Sequence, residues 1–313
     1  MVINILMSTY NGERFLAEQI DSIRRQTVTD WNLLIRDDGS SDATPDIIQR
    51  YVEMDSRIHF INAESNNNLG VIKSFFKLVK YSKADYYFFS DQDDVWLPDK
   101  LELTLAEANK FNNNLPLMVY TDLKVVNQNL EVINESMIRS QSNHANTQFI
   151  QELTENTVTG GTALINHALA ERWTVTDNLL MHDWYLALLA TAFGKLVYID
   201  QATELYRQHG NNVLGARTVD KRFKIFRLGP EYIFTRYWKL IHDSQNQAKH
   251  LLGFEDLPSG IKKIIENFID IDKQGLLTRL RRIVKYKYSK NQLKHILVFR
   301  FLLITNIYNG REK

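Results

Sequence analysis

The sequence predicts an α/β fold, a mostly parallel, doubly wound sheet followed by a helical, basic amphipathic extension. Three observations predict it. Short apolar runs of strand character alternate with segments whose apolar residues recur at helical spacing. Each of the first four runs breaks into a polar loop at its C-terminal end, where an open α/β sheet gathers its ligands. From Arg217 onward the composition shifts to basic residues mixed with apolar and aromatic ones.

Ile3, Ile5 and Leu6 begin the first strand, which ends at Ser8-Thr9-Tyr10-Asn11-Gly12. Leu16, Ile20 and Ile23 then fall on one helical face. Residues 31–35 read as a second strand, ending at Arg36-Asp37-Asp38-Gly39-Ser40-Ser41-Asp42, and Thr44 with Pro45 reads as an N-cap and first helical position. A short third strand, 57–61, ends at Ser65-Asn66-Asn67-Asn68-Leu69-Gly70, and a helix follows with Val71, Phe75, Leu78 and Val79 inward. The aromatic run Tyr86-Tyr87-Phe88-Phe89 stops at Ser90-Asp91-Gln92-Asp93-Asp94. A helix over about 98–112 and a strand over 117–120 complete the alternation, and the short loops favour parallel neighbours.

At 313 residues and 44% hydrophobic the chain is long enough for a catalytic domain and an appendage. It contains no cysteine, which excludes disulfides, thiolate catalysis and Cys-ligated metal and fits a reducing compartment. The start Met1-Val2-Ile3-Asn4-Ile5 lacks the basic n-region of a signal peptide. The apolar run 296–304 is too short for a membrane span and carries Arg300.

The acidic loop carries the chemistry. Three carboxylates within four residues repel one another, so keeping them ionised calls for a cation. Hard oxygen donors at that density suit Mg²⁺ or Mn²⁺, and Mg²⁺ is usually shared with substrate phosphates. The plain alternative is a solvated acidic turn before a helix. The loops after the first three strands converge on the same crevice, where amides and carboxylates suit the base and ribose of a nucleotide.

Met7-Ser8-Thr9-Tyr10-Asn11-Gly12, Asp37-Asp38-Gly39-Ser40-Ser41-Asp42, Asn68-Leu69-Gly70 and Ser90-Asp91-Gln92-Asp93-Asp94, in that order, resemble the family 2 glycosyltransferases. The wording Ser-Asp-Gln-Asp-Asp-Val-Trp is most similar to bacterial rhamnosyltransferases of rhamnose-rich surface polysaccharides. The resemblance implies a GT-A fold over roughly 3–215, a nucleotide-sugar donor and a divalent metal. It implies a catalytic domain 1–215, with a nucleotide-sugar half to about 125 and an acceptor half over 126–215, and an extension 216–313. Asp91 would lie near ribose and metal, and Asp93 would ligate the metal. Asp38 (or Asp37) would meet the base, with Thr9 and Tyr10 lining its pocket. Asn11, Asn68, Gly70 and Gln92 complete the implied donor set.

In the second half, Thr159-Gly160-Gly161-Thr162 carries paired glycines that serve either a close backbone approach or a tight turn. Asp183, in Met181-His182-Asp183-Trp184, matches the family position that deprotonates the acceptor hydroxyl, although His182 stands where Glu is usual. Gly160, Gly161, Thr162, His182 and Trp184 would then border the acceptor. Asp183 also fits a plain place in the first turn of a helix, favoured by its dipole. His209, in Tyr206-Arg207-Gln208-His209, matches a family position at the metal or diphosphate, and Arg207 is placed at the diphosphate. One base without a second nucleophilic carboxylate fits inversion.

Between Lys273 and Lys313 eleven Lys and Arg residues face a single acid, Glu312. Basic amphipathic helices of this kind lie on anionic membrane surfaces, and a face packed on the catalytic domain or a homo-oligomer interface are the other uses. No nucleic-acid reading motif accompanies them. The expectation is a cytoplasmic enzyme, peripheral on the inner face of the membrane, moving L-rhamnose from dTDP-β-L-rhamnose to a lipid-linked saccharide. The alternatives are a UDP-hexose donor or a non-catalytic nucleotide-sugar or glycan-binding module.

Overall fold

The computed structural model describes residues 1–209 and 229–311. The Gly210-Asn211-Asn212 loop after His209 and the basic stretch 222–228 at the start of the extension lie outside the described residues. Strands β1 (Ile3–Thr9), β2 (Asn32–Asp37), β3 (Ile58–Phe60) and β4 (Tyr86–Ser90) alternate with helices α1 (Leu16–Arg24), α2 (Thr44–Met54) and α3 (Val71–Tyr81). The β4 strand is followed by β5 (Val95–Trp96), α4 (Lys100–Ala108), β6 (Leu117–Val126) and β7 (Val132–Asn134). Short α5 (Met137–Gln141) and α6 (Phe149–Glu152) lead to a 3₁₀ turn at Gly160–Thr162, then β8 (Ala163–Asn166), α7 (His167–Arg172), α8 (His182–Phe193) and β9 (Lys195–Arg207).

The sheet runs β3-β2-β1-β4-β8-β6-β9-β5, with β7 paired to β6. Its first four strands are parallel, as the βα alternation predicts. Beyond β4 it is mixed: β8 enters antiparallel to both β4 and β6, β9 lies parallel to β6, and β5 closes the edge antiparallel to β9. An antiparallel strand needs no helical crossover, so a 3₁₀ turn suffices to deliver β8. Two boundaries differ from the sequence reading. The fourth helix is confined to Lys100–Ala108, and Thr44 is the first helical residue instead of the cap. Asp42 takes the capping work by accepting the Thr44 N–H (3.0 Å), while the Thr44 hydroxyl accepts the Gly12 N–H (2.8 Å). That bond ties the loop after β1 to the loop after β2.

Helices cover both faces of the parallel strands, so these are apolar almost throughout. Successive side chains divide between two cores. Ile5, Met7, Leu33, Ile35 and Phe88 pack under α1, α2 and α4. Leu6, Leu34 and Phe89 share the other core with Phe75 of α3 and Tyr185 and Leu189 of α8.

The C-terminal helices, α9 (Gly229–Lys249), α10 (Ser259–Phe268), α11 (Leu276–Tyr286) and α12 (Leu293–Thr305), join this second core. Trp238, Ile265, Phe268, Phe299 and Leu302 are buried in it. Polar ties add to the docking: Asn291 N–H donates to Glu155 (2.7 Å) and Gln247 accepts the Leu180 N–H (3.0 Å). The extension is thus packed on the catalytic half by one face of its helices. The fully buried Trp238, whose indole N–H donates to the Ile307 carbonyl (2.8 Å), is a sensitive reporter of this packing. Trp238→Ala is expected to cost about 3–5 kcal/mol, read by urea denaturation. A change below about 1 kcal/mol would show that the extension and the sheet do not share a core.

Candidate active site

The loops after β1, β2, β3 and β4 meet at the C-terminal edge of the parallel strands, each held in shape by side chains of another. The Asp37 carboxylate accepts the Thr9 and Ser40 hydroxyls (2.8 and 2.6 Å) and the Gly39 and Ser40 N–H groups (3.2 and 2.8 Å). Four donors fill a carboxylate's capacity, so the expectation that Asp37 meets a base is corrected: it builds the loop. Asp38 pairs with Arg36 (2.5 Å) and accepts the Ser74 hydroxyl (3.0 Å) and Leu69 N–H (2.7 Å) on Oδ1. Its Oδ2 accepts one bond, from the Gly70 N–H at 2.8 Å. Of the two acids only Asp38 keeps acceptor capacity toward the crevice. Gly39 and Gly70 have φ of 87° and 79°, a conformation that favours glycine.

Tyr10 is 52% exposed at the mouth of the crevice. Its backbone is clasped by Gln92, which accepts the Tyr10 N–H (2.8 Å) and donates to the Tyr10 carbonyl (2.9 Å). The amide lies so close to Gly12 that a Cβ there would fall 2.3 Å from Gln92 Oε1. Asn11, at φ 48°, accepts the Ser41 N–H (2.9 Å) and donates its own N–H to Ser40 (2.8 Å). Asn68 and Gly70 are exposed on the facing loop. Thr9 is buried beneath them.

The acidic loop divides by role. Asp93 Oδ2 lies 2.5 Å from His209 Nε2, so two residues 116 positions apart meet at one point. Asp91 stands beside them, and burial, then the charges of Asp93, Glu204 and Asp183, lift its carboxyl to about 8. Asp94 is fully buried, accepts the Arg207 N–H (2.8 Å) on Oδ1 and leaves Oδ2 without a partner. Among the described residues no three such side chains converge as a finished metal cage. The donor chemistry of two carboxylates and an imidazole nevertheless suits Mg²⁺ or Mn²⁺, which complete their shells with water and substrate phosphates. The upward shift of Asp91 comes first from its burial and then from the neighbouring carboxylates, with Lys100 opposing it.

Arg207 is a second correction. It is buried and its guanidinium donates to the Asp93 carbonyl (2.9 Å), the Gln128 carbonyl (2.6 Å) and Glu18 (2.5 Å). These bonds fasten the acidic loop to α1 and to the β6–β7 turn.

Two residues the sequence reading did not single out lie behind this loop. Lys100 and Glu204 are both fully buried and form an ion pair, and the Lys100 ammonium also donates to the Gly161 carbonyl. The ammonium sits 4.1 Å from the centroid of the Trp96 ring, a cation–π contact. A Cβ on Gly161 would fall 2.6 Å from Glu204 Oε1, and one on Gly160 would fall 3.1 Å from His182 Nε2. The paired glycines therefore admit the protein's own side chains. The only early sign of Lys100 was its phase, four residues before the buried Thr104 on the inner face of α4.

Asp183 lies in the first turn of α8, buried, and receives the N–H groups of Trp184 (2.6 Å) and Gly160. Burial outweighs these bonds and lifts its carboxyl to about 7. His182 is a third correction: it faces neither solvent nor an acceptor. Its ring stacks on Phe75 at 4.4 Å within a box completed by Phe89 and Trp173, and burial lowers it to about 3. The imidazole is neutral and adds no positive charge beside Asp183. Thr162 is likewise internal, donating to the Thr159 carbonyl (2.8 Å), and the Trp184 indole donates to the Glu152 carbonyl (2.6 Å).

Parallel strands delivering acids to one edge, followed by a mixed half that returns a carboxylate and a histidine to the same edge, define a GT-A glycosyltransferase. The family model described as Glycosyl transferase family 2 matches residues 4–174, more than half of the sequence, and the chain belongs to that family. Among curated relatives it is similar to the dTDP-rhamnosyl transferase RfbG of Shigella flexneri, 30% identical over 71% of this chain and 78% of that protein. It is also similar to the UDP-Glc:alpha-D-GlcNAc-diphosphoundecaprenol beta-1,3-glucosyltransferase WfgD of Escherichia coli, 31% identical over 41% of this chain and 48% of that protein. In fold it is similar to S. aureus TarS 1–349 in complex with UDP-GlcNAc, at TM-score 0.59 and 16% identity over 100% and 84% of the two chains. The mannosyltransferase PcManGT from Pyrobaculum calidifontis in complex with GDP-Man and Mn²⁺ superposes at TM-score 0.54 and 12% identity, over 91% and 73%. The protein is a family 2 glycosyltransferase that uses a nucleotide-sugar donor.

The Lys100–Glu204 pair is testable directly. Lys100→Met leaves Glu204 buried without its cation and is expected to destabilise the fold by about 3–5 kcal/mol. Lys100→Met/Glu204→Leu removes both charges and is expected to recover much of that loss in urea denaturation. A double variant as unstable as the sum of the two single variants would refute the pairing.

Proposed function

We propose that the enzyme transfers L-rhamnose from dTDP-β-L-rhamnose to a hydroxyl of a lipid-linked saccharide, inverting the anomeric configuration, with Asp183 as general base. The single observation that carries this reading is Asp183: one buried carboxylate, lifted to about 7, within electrostatic reach of Asp91 across the donor crevice. A sugar hydroxyl is a poor nucleophile, and a base whose proton affinity lies near the working pH removes its proton most effectively. The proton passes from the acceptor hydroxyl to an Asp183 oxygen as that hydroxyl oxygen bonds to the anomeric carbon. The bond between that carbon and the diphosphate breaks, and the nucleoside diphosphate leaves with the electron pair. The anomeric centre develops oxocarbenium character on the way.

Tyr10 supplies an exposed aromatic face for the nucleotide base, with Thr9 and Asn11 behind it and the open Oδ2 of Asp38 as acceptor. Gln92 braces the Tyr10 backbone, and Asn68 and Gly70 belong to the facing loop. Asp93 and His209, with Asp91 beside them, would hold Mg²⁺ or Mn²⁺. When bound, the ion neutralises charge on the diphosphate. Gly160 and Trp184 place Asp183 through their N–H groups, so the acceptor side is set by the start of α8.

The rhamnosyl donor is supported by the name of the RfbG relative and by the wording of the acidic loop. A second reading, a UDP-hexose donor, is favoured by what WfgD and TarS carry in theirs. A lipid-linked acceptor would place the work on the inner face of the cell membrane. Among the described residues no helix is long and apolar enough to cross a membrane, so such an enzyme would meet its acceptor through a surface.

Two measurements test the reading. Thermal-shift titration with dTDP, UDP and GDP, each with Mn²⁺, Mg²⁺ or EDTA, is expected to show stabilisation by dTDP that requires the metal, because a ligand of the native state raises its stability by mass action. Preference for UDP would discard rhamnose and keep the mechanism, and no response to any would reject the donor site. Asp183→Asn is expected to lower kcat by about 10²–10⁴-fold while the dTDP shift persists. Because the base must be ionised, the wild-type rate should fall as pH drops through about 7, the value to which burial lifts Asp183. Unchanged turnover in Asp183→Asn would refute the assignment.

A further inference from the structure

The last two helices are apolar on two faces, and only one face is covered. The inner face of α11 buries Ile283, and that of α12 buries Phe299, Leu302 and Leu303. On the outer side of α11, Leu277 (69% exposed) and Val284 (76%) stand two turns apart with Leu280 between them. On α12, Leu293 (69%) and Leu297 (62%) stand one turn apart, with Phe301 in line beyond them. Side chains spaced by three, four or seven residues share a helical face, so each helix presents an outward apolar stripe. Stripes of this kind mark an interaction surface.

Charge identifies what the surface fits. Arg281 and Lys285 on α11 and Lys294 and Arg300 on α12 are exposed beside the stripes. Among the described residues none of the four is paired with a carboxylate. No acid occurs anywhere from residue 274 to 311. A second copy of this chain would bring the same cations against themselves, and an acidic protein groove would not require two helical stripes of large apolar residues flanked by long basic stems. A surface that is apolar within and anionic at its rim satisfies both features.

We propose that α11 and α12 form an in-plane docking face for an anionic lipid bilayer, with Leu277, Val284, Leu293 and Leu297 entering the headgroup–acyl boundary. Arg281, Lys285, Lys294 and Arg300 meet lipid phosphates around them. The face deepens the acceptor side of the function proposed above and rests on that reading only for why the enzyme needs a membrane. The surface itself follows from its residues.

The test is co-sedimentation of the full chain with vesicles of phosphatidylcholine alone and of phosphatidylcholine mixed with phosphatidylglycerol. Binding is expected to the mixed vesicles only and to weaken as salt is raised, since each basic side chain near the surface contributes electrostatically. Arg281→Glu/Lys285→Glu is expected to lower the partition coefficient by about tenfold or more, and Val284→Asp/Leu297→Asp to lower it at low salt as well. Circular dichroism checks that the variants fold, and a nucleotide thermal shift that both variants retain separates a failure here from a failure of the donor site. The proposal is overturned if wild-type protein stays in the supernatant with anionic vesicles at low salt. It is overturned equally if folded Val284→Asp/Leu297→Asp binds as wild type does. A wild-type dimer that this variant converts to monomer in sedimentation velocity would make a second copy the occupant and overturn it too.

Discussion

The fold depends on keeping negative charge concentrated at one edge of a sheet. Asp91, Asp93 and Asp94 follow β4, and Glu204 and Asp183 are close enough that their charges act on Asp91. Left alone, such a group would take up protons or force the strands apart. Two buried cations offset part of it. Lys100 pairs with Glu204 and the turn at Gly161, and Arg207 binds the backbone of Asp93 while its own N–H donates to Asp94 Oδ1. Both cations reach the acids from behind. On the other side of the loop Asp93 meets His209.

This arrangement explains why the two halves of the sheet differ. The parallel half needs only to present loops, and its loops brace one another through Asp37, Asp38, Asp42 and Gln92. The mixed half must return a carboxylate, Asp183, and a histidine, His209, to the same edge. The antiparallel β8 brings the Gly160–Thr162 turn against the β4 end, and α8 starts with Asp183 over that turn. The neutral His182 beneath it, boxed by aromatic rings, leaves the Asp183 carboxyl without a cation that would weaken its hold on a proton.

Much of the donor side was legible in the sequence, because each loop announces itself locally: an apolar run ends and Asp, Asn or Gly begins. Asp93 was named from such a loop, whereas His209 and Asp183 were named from the family resemblance. What could not be read was the direction each side chain takes once remote segments meet. Asp37 and Asp38 are adjacent and chemically identical, yet one is filled by internal donors and the other is not. Arg207 has the look of a phosphate ligand until Glu18, 189 residues away, claims it. Lys100 and Glu204 lie 104 residues apart, and although the helical phase of Lys100 hints at an inward position, nothing local names its partner. The tail shows the same limit: its basic composition was plain, but its sharing of a core through Trp238 and Phe268 was not.

The pairing of β6 with β9 is irregular between Thr121 and Lys124, where Ile199 and Ala202 take successive partners. A bulge of this kind re-phases everything beyond it. Downstream, the phase of β9 turns Glu204 inward to Lys100, offers the Arg207 N–H to Asp94 and delivers His209 to Asp93. The irregularity thus works as a vernier, setting three contacts by one count of residues. A single insertion or deletion there would turn the strand over, leaving a lysine stranded in the interior and the imidazole on the wrong side. Length variation among sequences of this architecture should therefore be tolerated before the bulge or after His209, and hardly at all between them.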